Sequence, residues 1–345
     1  MRLEKLRDRL AALGAKPCHT RHVLRAWMQA LPLHSGPRAA ADFHPLALRN
    51  ALGGFAAELA GLAFLRARHA GADGAERLLV TLADGESVES VLLPRAGLCV
   101  STQVGCAVGC TFCMTGRAGL RRQLGGAEIV AQVALARSLR AVRKVVFMGM
   151  GEPAHNLDNV LEAIDLLGTA GAVGHKNLVF STVGDARVFE RLPQGRVKPA
   201  LALSLHSTKT ALRAELLPRA PRWEPADLVA AGEAYARCSG YPIQYQWTLI
   251  EGVNDGDDEV DGIATLLAGK YAMMNFIPYN AVEGLPFRRP AWERAAAMAR
   301  ALNRRGVLTR LRRSAGQDVD GGCGQLRART ATARPRSIPI QTAER

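Results

Sequence analysis

The chain has 345 residues, of which 48% are hydrophobic and 22% are charged, and its formal net charge is +14. This length and apolar content exclude a disordered or collagen-like chain and suffice for one large α/β domain with a small accessory domain. No apolar run reaches about 18 residues, and the first residues lack the apolar core of a secretory signal, so we expect a cytoplasmic protein with no membrane partner.

The positive charge is concentrated at the two ends of the chain. Residues 1–50 carry nine Lys/Arg against three Asp/Glu, residues 51–283 carry 22 against 24, and residues 284–345 carry 14 against four. A compositional bias would spread the excess evenly, whereas this distribution is typical of a near-neutral body whose ends bind a polyanion, most often nucleic acid. The basic C-terminal tail, residues 331–345, can equally be a frayed end.

Residues 1–75 are predicted to form a small basic helical accessory domain. Residues 3–14 carry apolar side chains at helical spacing and end in glycine, and residues 22–31 follow Thr20, a suitable N-cap.

Residues 76–98 are predicted as a β-hairpin lead-in, because Asp84-Gly85 is a hairpin turn signal between two apolar runs. From residue 99 to residue 330, apolar strands then alternate with amphipathic helices. The strands are predicted within KVVFMGMG, NLVFSTVG, PALALSLHS, IQYQWTLI, MMNFIPYN and VLTRLRRS. Five or six consecutive βα units favour an α/β fold with a partial (β/α)6-type barrel over residues 99–330, with its chemistry at the carboxyl ends of the strands.

Three of the seven cysteines lie together in Cys106-Ala-Val-Gly-Cys110-Thr-Phe-Cys113. An odd cysteine count without a secretion signal argues against a disulfide scaffold, and a structural zinc usually takes a second cysteine pair that the sequence lacks. A [4Fe–4S] cluster normally takes four cysteines, so three would leave one iron open to a substrate or cofactor. The C-x3-C-x2-C spacing, with an aromatic residue before the last cysteine, is that of the radical S-adenosylmethionine (SAM) superfamily.

Further motifs narrow this resemblance. In order along the chain, they are VSTQVGCAVGCTFCMTG, VVFMGMGEP, STVGDARVFERL, LALSLHS, MMNFIPYN and SAGQDVDGGCGQL. Together they resemble the RlmN/Cfr family of radical SAM RNA methyltransferases, from about Glu89 to Leu326. The resemblance implies a SAM-dependent enzyme that methylates C2 of an adenine in 23S rRNA, and perhaps in tRNA.

The resemblance also assigns cofactor-binding residues. It implies that Cys106, Cys110 and Cys113 hold one [4Fe–4S] cluster, whose open iron SAM chelates through its amino and carboxylate groups. It further implies a SAM pocket lined by Gly151, Glu152, Ser181, Ser204, Leu205, His206 and Asn280. A carboxylate such as that of Glu152 is the partner that an ammonium group requires at close range.

Three further residues receive catalytic roles from the resemblance. Cys323, in Gly-Gly-Cys-Gly-Gln, matches the residue that becomes S-methylcysteine, and its flanking glycines would give a mobile loop. Cys99 matches its partner in a transient disulfide, and Glu89 matches the proton acceptor. Cys18 and Cys238 match nothing and are interpreted as ordinary structural residues.

The implied reaction uses two SAM molecules. One methylates Cys323, and reductive cleavage of the other yields a radical that takes hydrogen from the new S-methyl group. The methylene radical adds to the adenine ring, a base (Cys99 or Glu89) removes the ring proton, and the Cys99 thiolate attacks the Cys323 sulfur to release methylated RNA. The disulfide left behind requires a reducing compartment, and the family implies a monomer served by a reductase such as flavodoxin or ferredoxin.

Several alternatives stay open. One is C8 methylation, as in Cfr. Departures from the family pattern at His155, Asp185-Ala186 and residues 282–284 are compatible with a divergent paralogue that has another RNA target. A radical SAM enzyme acting on a small molecule or peptide is disfavoured by the basic ends and by Cys323. The three intact cluster cysteines disfavour a non-catalytic RNA-binding protein.

Overall fold

The computed structural model describes residues 1–36, 43–117 and 119–328. The predicted tail, residues 331–345, lies outside the described residues, as does the stretch 37–42 of the predicted helical domain. Within the described ranges, no helix combines the length and the apolar character that a membrane crossing requires.

Three helices open the chain: α1 (Leu3–Ala12), α2 (Pro17–Met28) and α3 (Leu46–Ala60). Helix α1 forms because its leucines recur every three or four residues, which buries Leu3, Leu6 and Leu10 along one face. Helix α2 begins at Pro17, a residue whose fixed φ and missing N–H suit the first helical position.

Four antiparallel strands follow: β1 (Ala63–Ala70), β2 (Glu76–Leu82), β3 (Ser87–Leu93) and β4 (Gly97–Cys99). The predicted hairpin is the β2–β3 pair. Strand β1 was not predicted, and it lies inside the range interpreted as helical. Its side chains are mostly exposed, so its sequence shows little apolar alternation, and pairing with β2 makes it a strand. The domain boundaries themselves stay a prediction.

The rest of the sheet is parallel and runs from β4 through β7 (Lys144–Phe147), β8 (Leu178–Thr182), β9 (Ala200–Ser204), β10 (Ile243–Leu249), β11 (Ala272–Pro278) and β12 (Thr309–Leu311). The helices of this part are α4 (Gly126–Leu139), α5 (Leu157–Gly168), α6 (Ala186–Arg191), α7 (Thr210–Leu216), α8 (Pro225–Ser239), α9 (Asp257–Leu267) and α10 (Trp292–Arg304). Buried β-branched and leucine residues fill the strands, because the crossover helices of a parallel sheet cover both of its faces. The predicted α/β fold with a largely parallel central sheet is confirmed.

This topology gathers the candidate site residues. Parallel strands end at the same edge of the sheet, so the loops after β7, β8, β9 and β11 meet there. A separate two-stranded ribbon, β5 (Gln103–Gly105) with β6 (Leu120–Gln123), closes the loop that carries the three clustered cysteines.

Candidate active site

The loop of residues 106–113 lies in an apolar part of the molecule. Cys106 is buried, and Cys110 and Cys113 are half-buried. The other buried side chains of this apolar cluster are Val108, Phe112, Val183, Leu216, Leu217, Ile250 and Tyr279. The Thr111 amide donates to the Leu216 carbonyl at 3.0 Å, which ties the loop to the end of α7. The three thiols therefore share a pocket with little solvent.

Glycine is required where the loop folds on itself. Gly109 has a φ of +67°, which L side chains rarely adopt, and a Cβ at Gly116 would lie 2.7 Å from the Gly109 Cα atom. The segment after Cys113 can thus return against the loop only because both positions lack side chains.

The three thiols resist ionisation. Burial raises the pKa of Cys106 to about 12, and the negative charges of Glu152 and Cys113 act in the same direction. Burial also raises the pKa values of Cys110 and Cys113, and the charges of the other two cysteines add to the rise at Cys110. A thiolate set of this kind needs positive charge from a bound metal centre.

The donor set fits an iron–sulfur cluster better than a single ion. Among the described residues, no group of three or more His, Cys, Asp or Glu side chains converges on one metal position. In a [4Fe–4S] cluster each thiolate binds a different iron, so three sulfur donors need not converge. Cys106, Cys110 and Cys113 are the residues that would hold such a cluster.

Gly151 and Glu152 follow β7, at the sheet edge that faces this loop. Gly151 has a φ of +104°, and a Cβ there would lie 2.6 Å from the Gln103 side chain. The Gln103 side-chain oxygen accepts a hydrogen bond from the Glu152 amide at 2.7 Å. This close approach fixes the backbone from which the Glu152 side chain projects.

The Glu152 carboxylate is buried, and no cationic side chain pairs with it among the described residues. It accepts hydrogen bonds from the amides of Ala154 at 3.0 Å and Val183 at 3.1 Å. Burial raises its pKa to about 7, while a hydrogen bond from the Thr182 hydroxyl opposes the rise. Such a carboxylate suits a ligand that brings an ammonium group.

The ends of β8 and β9 supply the next predicted residues. Ser181 and Ser204 are half-buried near the last positions of these strands, and Leu205 is buried. The Leu205 amide donates to the Gln246 carbonyl at 3.0 Å and so continues the pairing of β9 with β10. The two serines lie on the edge predicted for a SAM pocket.

His206 supports the cysteine loop. Its φ is +61°, and its Nδ1 accepts a hydrogen bond from the Thr248 amide at 3.0 Å. Its ring lies edge-on to Phe112, with centroids 4.9 Å apart. Burial lowers the pKa of His206 to about 3, with the charge of Arg213 acting in the same direction. His206 is therefore neutral, and its ring packs on Phe112, which lies in the chain between Cys110 and Cys113.

Arg213 is a buried cation that the sequence did not reveal. Its Nη2 donates to the carbonyls of Val183 and, at 3.3 Å, Ser204. Its Nε is buried with no hydrogen-bond partner among the described residues. Burial lowers its pKa to about 10, whereas the charge of Cys110 raises it. An arginine in a short amphipathic helix ordinarily faces solvent, so the sequence carries no signal for this role.

Residues 314–328, here called the Cys323 segment, cover the cysteine loop. The Asn280 side-chain amide donates to the Cys323 carbonyl at 2.9 Å and to the Ser314 hydroxyl at 2.8 Å. The Met114 amide donates to the Gly324 carbonyl at 2.8 Å. The segment is thereby held both by the end of β11 and by the residue after Cys113. Asn280, predicted as a SAM ligand, thus donates both of these hydrogen bonds to the Cys323 segment, while its side-chain oxygen accepts from Arg289 at 3.0 Å.

The glycines beside Cys323 serve close packing. A Cβ at Gly322 would lie 2.6 Å from the Gln325 side chain and 2.8 Å from that of Asn280, and Gly324 has a φ of +85°. Mobility of this loop stays a prediction.

The segment that carries Cys323 packs on the strand pair that carries Cys99, since a Cβ at Gly321 would lie 3.6 Å from Val91, the register partner of Cys99. Cys323 retains solvent exposure, and removal of water around its sulfur raises its pKa, which a hydrogen bond with Ser314 and the charge of Arg312 counteract. Cys99 is the last residue of β4 and is buried. Burial raises the pKa of Cys99 strongly, and the negative charge of Cys323 raises it further. Cys18 and Cys238 are exposed on α2 and α8.

Glu89 lies on β3 with only 1% of its side chain exposed. Its Oε1 pairs with the Arg77 guanidinium, and its Oε2 accepts a hydrogen bond from the Arg327 amide at 2.8 Å. The structure therefore brings Glu89 to the Cys323 segment, in contact with Arg77, a cation that no sequence motif marks.

A cavity of about 530 Å³ adjoins the site. Its wall includes Met114 and Thr115, which follow directly on Cys113, and three arginines, Arg117, Arg121 and Arg327. Its size is that of pockets that take small organic ligands.

Comparison with known proteins identifies the relatives of this architecture. The family model described as the radical SAM superfamily matches residues 100–262. A protein of Methylibium petroleiphilum named probable RNA methyltransferase is 75% identical over 95% of this chain and 93% of its own length. A Pseudomonas aeruginosa protein of the same name is 64% identical over 99% of this chain and 100% of its own length. The crystal structure of a radical SAM methyltransferase from Sphaerobacter thermophilus superimposes with a TM-score of 0.81 at 33% identity, covering 95% of this chain and 98% of that one.

Proposed function

The chain belongs to the radical SAM superfamily, in a family of SAM-dependent methyltransferases, and on that premise we propose that it methylates C2 of an adenine in RNA through a methyl-cysteine at Cys323. The proposed substrates are 23S rRNA and tRNA, as in the RlmN/Cfr family that the motifs resemble. RNA as the substrate is supported by the names of the close relatives.

One observation carries this proposal: the segment that bears Cys323 packs on the strand pair that bears Cys99, since a Cβ at Gly321 would lie 3.6 Å from Val91, the register partner of Cys99. A transient disulfide needs two thiols that can approach each other. A radical SAM enzyme that used no methyl carrier would have no need for this arrangement.

The cofactors are proposed to bind at the positions described above. Cys106, Cys110 and Cys113 hold the cluster, which with SAM supplies a carbon-centred radical when reduced. Glu152 receives the SAM ammonium group, because its carboxylate is buried and pairs with no cation among the described residues. The remaining proposed pocket residues are Gly151, Ser181, Ser204, Leu205, His206 and Asn280.

Cys323 is the proposed methyl carrier. Its thiolate takes the methyl group from one SAM, aided by the hydrogen bond with Ser314 and the charge of Arg312. Its S-methyl group gives a hydrogen atom to the SAM-derived radical, and the resulting carbon radical adds to C2 of the adenine. Loss of the ring proton to a base and of one electron, which the cluster would take back, restores the aromatic ring. The Cys99 thiolate then attacks the Cys323 sulfur, which frees the methylated base and leaves a Cys99–Cys323 disulfide for an external reductant.

Two residues are candidates for removing the ring proton. Glu89 is committed to the Arg77 guanidinium and the Arg327 amide. Cys99 is the register partner of Val91, on which the Cys323 segment packs, and its thiol has no described salt-bridge partner. These contacts favour Cys99 as the base over Glu89.

RNA is the proposed polyanionic partner of the basic ends. The arginine-rimmed cavity beside Met114 and Thr115 suits a nucleotide, because guanidinium groups pair with phosphate while its apolar wall accepts a base. We further propose that a flavodoxin or ferredoxin reduces the enzyme, which acts as a monomer in the reducing cytoplasm.

The deciding experiment is anaerobic incubation of the reconstituted enzyme with SAM, reductant and protein-free rRNA and tRNA, followed by mass spectrometry of the nucleosides. We expect 2-methyladenosine. Formation of 8-methyladenosine instead would establish the C8 alternative. SAM cleavage without any methylated nucleoside would exclude both RNA classes as substrates.

A second candidate, another RNA target, is favoured by the residues that depart from the family pattern. His155 donates its amide to the Glu152 carbonyl at 3.0 Å, and the charge of Asp185 raises its pKa while burial, the larger effect, lowers it. His155 and Asp185 thus lie together beside the proposed SAM site, where a substitution can alter substrate choice.

A further inference from the structure

The Cys323 segment is bound to the hairpin edge of the sheet at several points. Its Gly316 amide donates to Asp73 at 2.9 Å, and its Asp318 carboxylate accepts from the Ala72 amide at 2.8 Å. Both partners, Ala72 and Asp73, belong to the turn between β1 and β2. These contacts hold the beginning of the segment.

A buried ion pair holds the segment closer to Cys323. The Arg77 Nε donates to the Val319 carbonyl at 2.5 Å, while Arg77 Nη1 pairs with Glu89. Glu89 in turn accepts from the Arg327 amide at 2.8 Å. Val319 lies four residues before Cys323 and Arg327 lies four residues after it. The pair therefore clamps the chain at two points equally far from the thiol.

The pair is unusual because it is almost fully buried. Only 9% of the Arg77 side chain and 1% of the Glu89 side chain are exposed. Buried ion pairs are weak evidence for stabilisation, since desolvation of both charges offsets their attraction, and they are better explained by a positioning role. Here each partner uses a second hydrogen-bonding atom on the backbone of the Cys323 segment.

The clamp also holds the Cys323 segment against the strands that carry Cys99. A Cβ at Gly321 would lie 3.6 Å from Arg77 and 3.6 Å from Val91, so the segment passes close over these side chains. Val91 is the register partner of Cys99 in the β3–β4 pair. The clamp therefore fixes the segment above the strand pair that carries Cys99.

We propose that the buried Arg77–Glu89 pair is the anchor that docks the Cys323 segment on the β2–β3 hairpin and thereby positions the Cys323 thiol over the cluster loop. Arg77 is thus a positioning residue that acts through Val319 and Glu89. The proposed consequence for methyl transfer rests on the function proposed above, whereas the docking itself does not.

The test compares the reconstituted full-length enzyme with Arg77→Met and Arg77→Lys. Methionine retains the apolar volume of the arginine stem without its charge or donors. Lysine retains the charge but cannot donate in two fixed directions. It also provides a second variant in case Arg77→Met does not fold. The matched control is Arg68→Met, because Arg68 pairs with Glu76 across β1–β2 and, within the described residues, makes no hydrogen bond to the Cys323 segment.

Hydrogen exchange tests the docking. We expect the amides of residues 316–327 to exchange about tenfold faster in Arg77→Met, with a smaller increase in Arg77→Lys and none in Arg68→Met. The Arg327 amide, which donates to Glu89, is expected to lose the most protection. Exchange in β7–β11 should not change. Equal protection of the segment in the wild type and in whichever Arg77 variant folds would overturn the proposal.

Methylation of Cys323 by SAM, followed by intact-protein mass, tests the consequence. We expect Arg77→Lys to lower the maximal rate of methylation while leaving the half-saturating SAM concentration unchanged, which a general loss of folding would not do. An unchanged rate despite faster exchange would remove the positioning role. If the wild type itself acquires no methyl group, the proposed function fails, and the exchange result still decides the docking.

Discussion

The Asn280 side chain donates a hydrogen bond to the Cys323 carbonyl at 2.9 Å, which joins the end of β11 to the residue proposed as methyl carrier. The same amide reaches the Ser314 hydroxyl, and the Asn280 oxygen accepts from Arg289 at 3.0 Å. A single side chain thus couples the strand-end edge of the sheet with the Cys323 segment. The predictions below test what this arrangement does.

Replacing Cys323 should separate methyl transfer from SAM cleavage. We expect Cys323→Ala to abolish RNA methylation, because the carrier sulfur is missing, while iron content and reductive SAM cleavage stay near wild-type values. Anaerobic assays of 5′-deoxyadenosine and of methylated nucleosides measure the two activities. Cys238→Ala, which removes an exposed cysteine on α8, is the control and should retain both.

Replacing Cys99 should trap the enzyme on its substrate. Without the thiolate that attacks the Cys323 sulfur, we expect Cys99→Ala to accumulate a covalent protein–RNA adduct, visible as a shifted band on a denaturing gel. Cys18→Ala should form none above the wild-type level. Turnover by Cys99→Ala with no adduct would exclude Cys99 from its proposed role.

Replacing Glu152 should weaken SAM binding. A charge-assisted hydrogen bond to an ammonium group contributes about 1.5–3 kcal/mol, so we expect Glu152→Gln to raise the Kd for SAM by about 10- to 100-fold. Equilibrium dialysis with the reconstituted enzyme measures it, with Glu190→Gln, on the exposed surface of α6, as the control. Equal affinities in the two variants would contradict the assignment.

His206 should make the apoprotein sensitive to acid. Its folded-state pKa of about 3 lies below the ordinary value of 6.5. The unfolded chain therefore takes up a proton below pH 6.5 that the folded chain does not, and stability falls as the pH falls. The His206 contribution should decrease by about 1.4 kcal/mol per pH unit between these values.

Denaturant unfolding at several pH values provides the measurement. The stability difference between the wild type and His206→Gln should shrink steadily below pH 6.5 and stay constant above it. His34→Gln, at an exposed position, should show no such trend. A constant difference across the acid range would mean that His206 is protonated in the folded state.

RNA binding should depend on the basic residues of the N-terminal helices. Arg21 and Arg25 are exposed on α2, and we expect Arg21→Gln/Arg25→Gln to reduce the slope of log affinity against log salt by roughly 1.5. Arg191→Gln/Arg237→Gln serves as a matched control, because these arginines pair with Asp158 and Glu233. Equal slopes for the two double variants would place the RNA elsewhere on the molecule.

Local sequence patterns were sufficient to predict the α/β fold and the metal-binding role of the cysteine loop. Apolar strands alternating with amphipathic helices predicted the parallel sheet, because the patterns of a strand and of a helix can each be recognised within about ten residues. The spacing of Cys106, Cys110 and Cys113 predicted a metal site for the same reason. Strand β1 was missed, since an exposed edge strand obtains its structure from its neighbour rather than from its own pattern.

The sequence by itself determined which residue types were available: three clustered thiols, two further candidate thiols and a carboxylate after β7. Tertiary structure decided their partners. Arg77 meets Val319 across 242 positions of sequence, and Glu89 meets Arg327 across 238. Arg213 became a buried cation only because α7 packs under the ends of β8 and β9. Contacts between distant parts of a chain depend on how its elements pack, and no local periodicity or spacing records that packing.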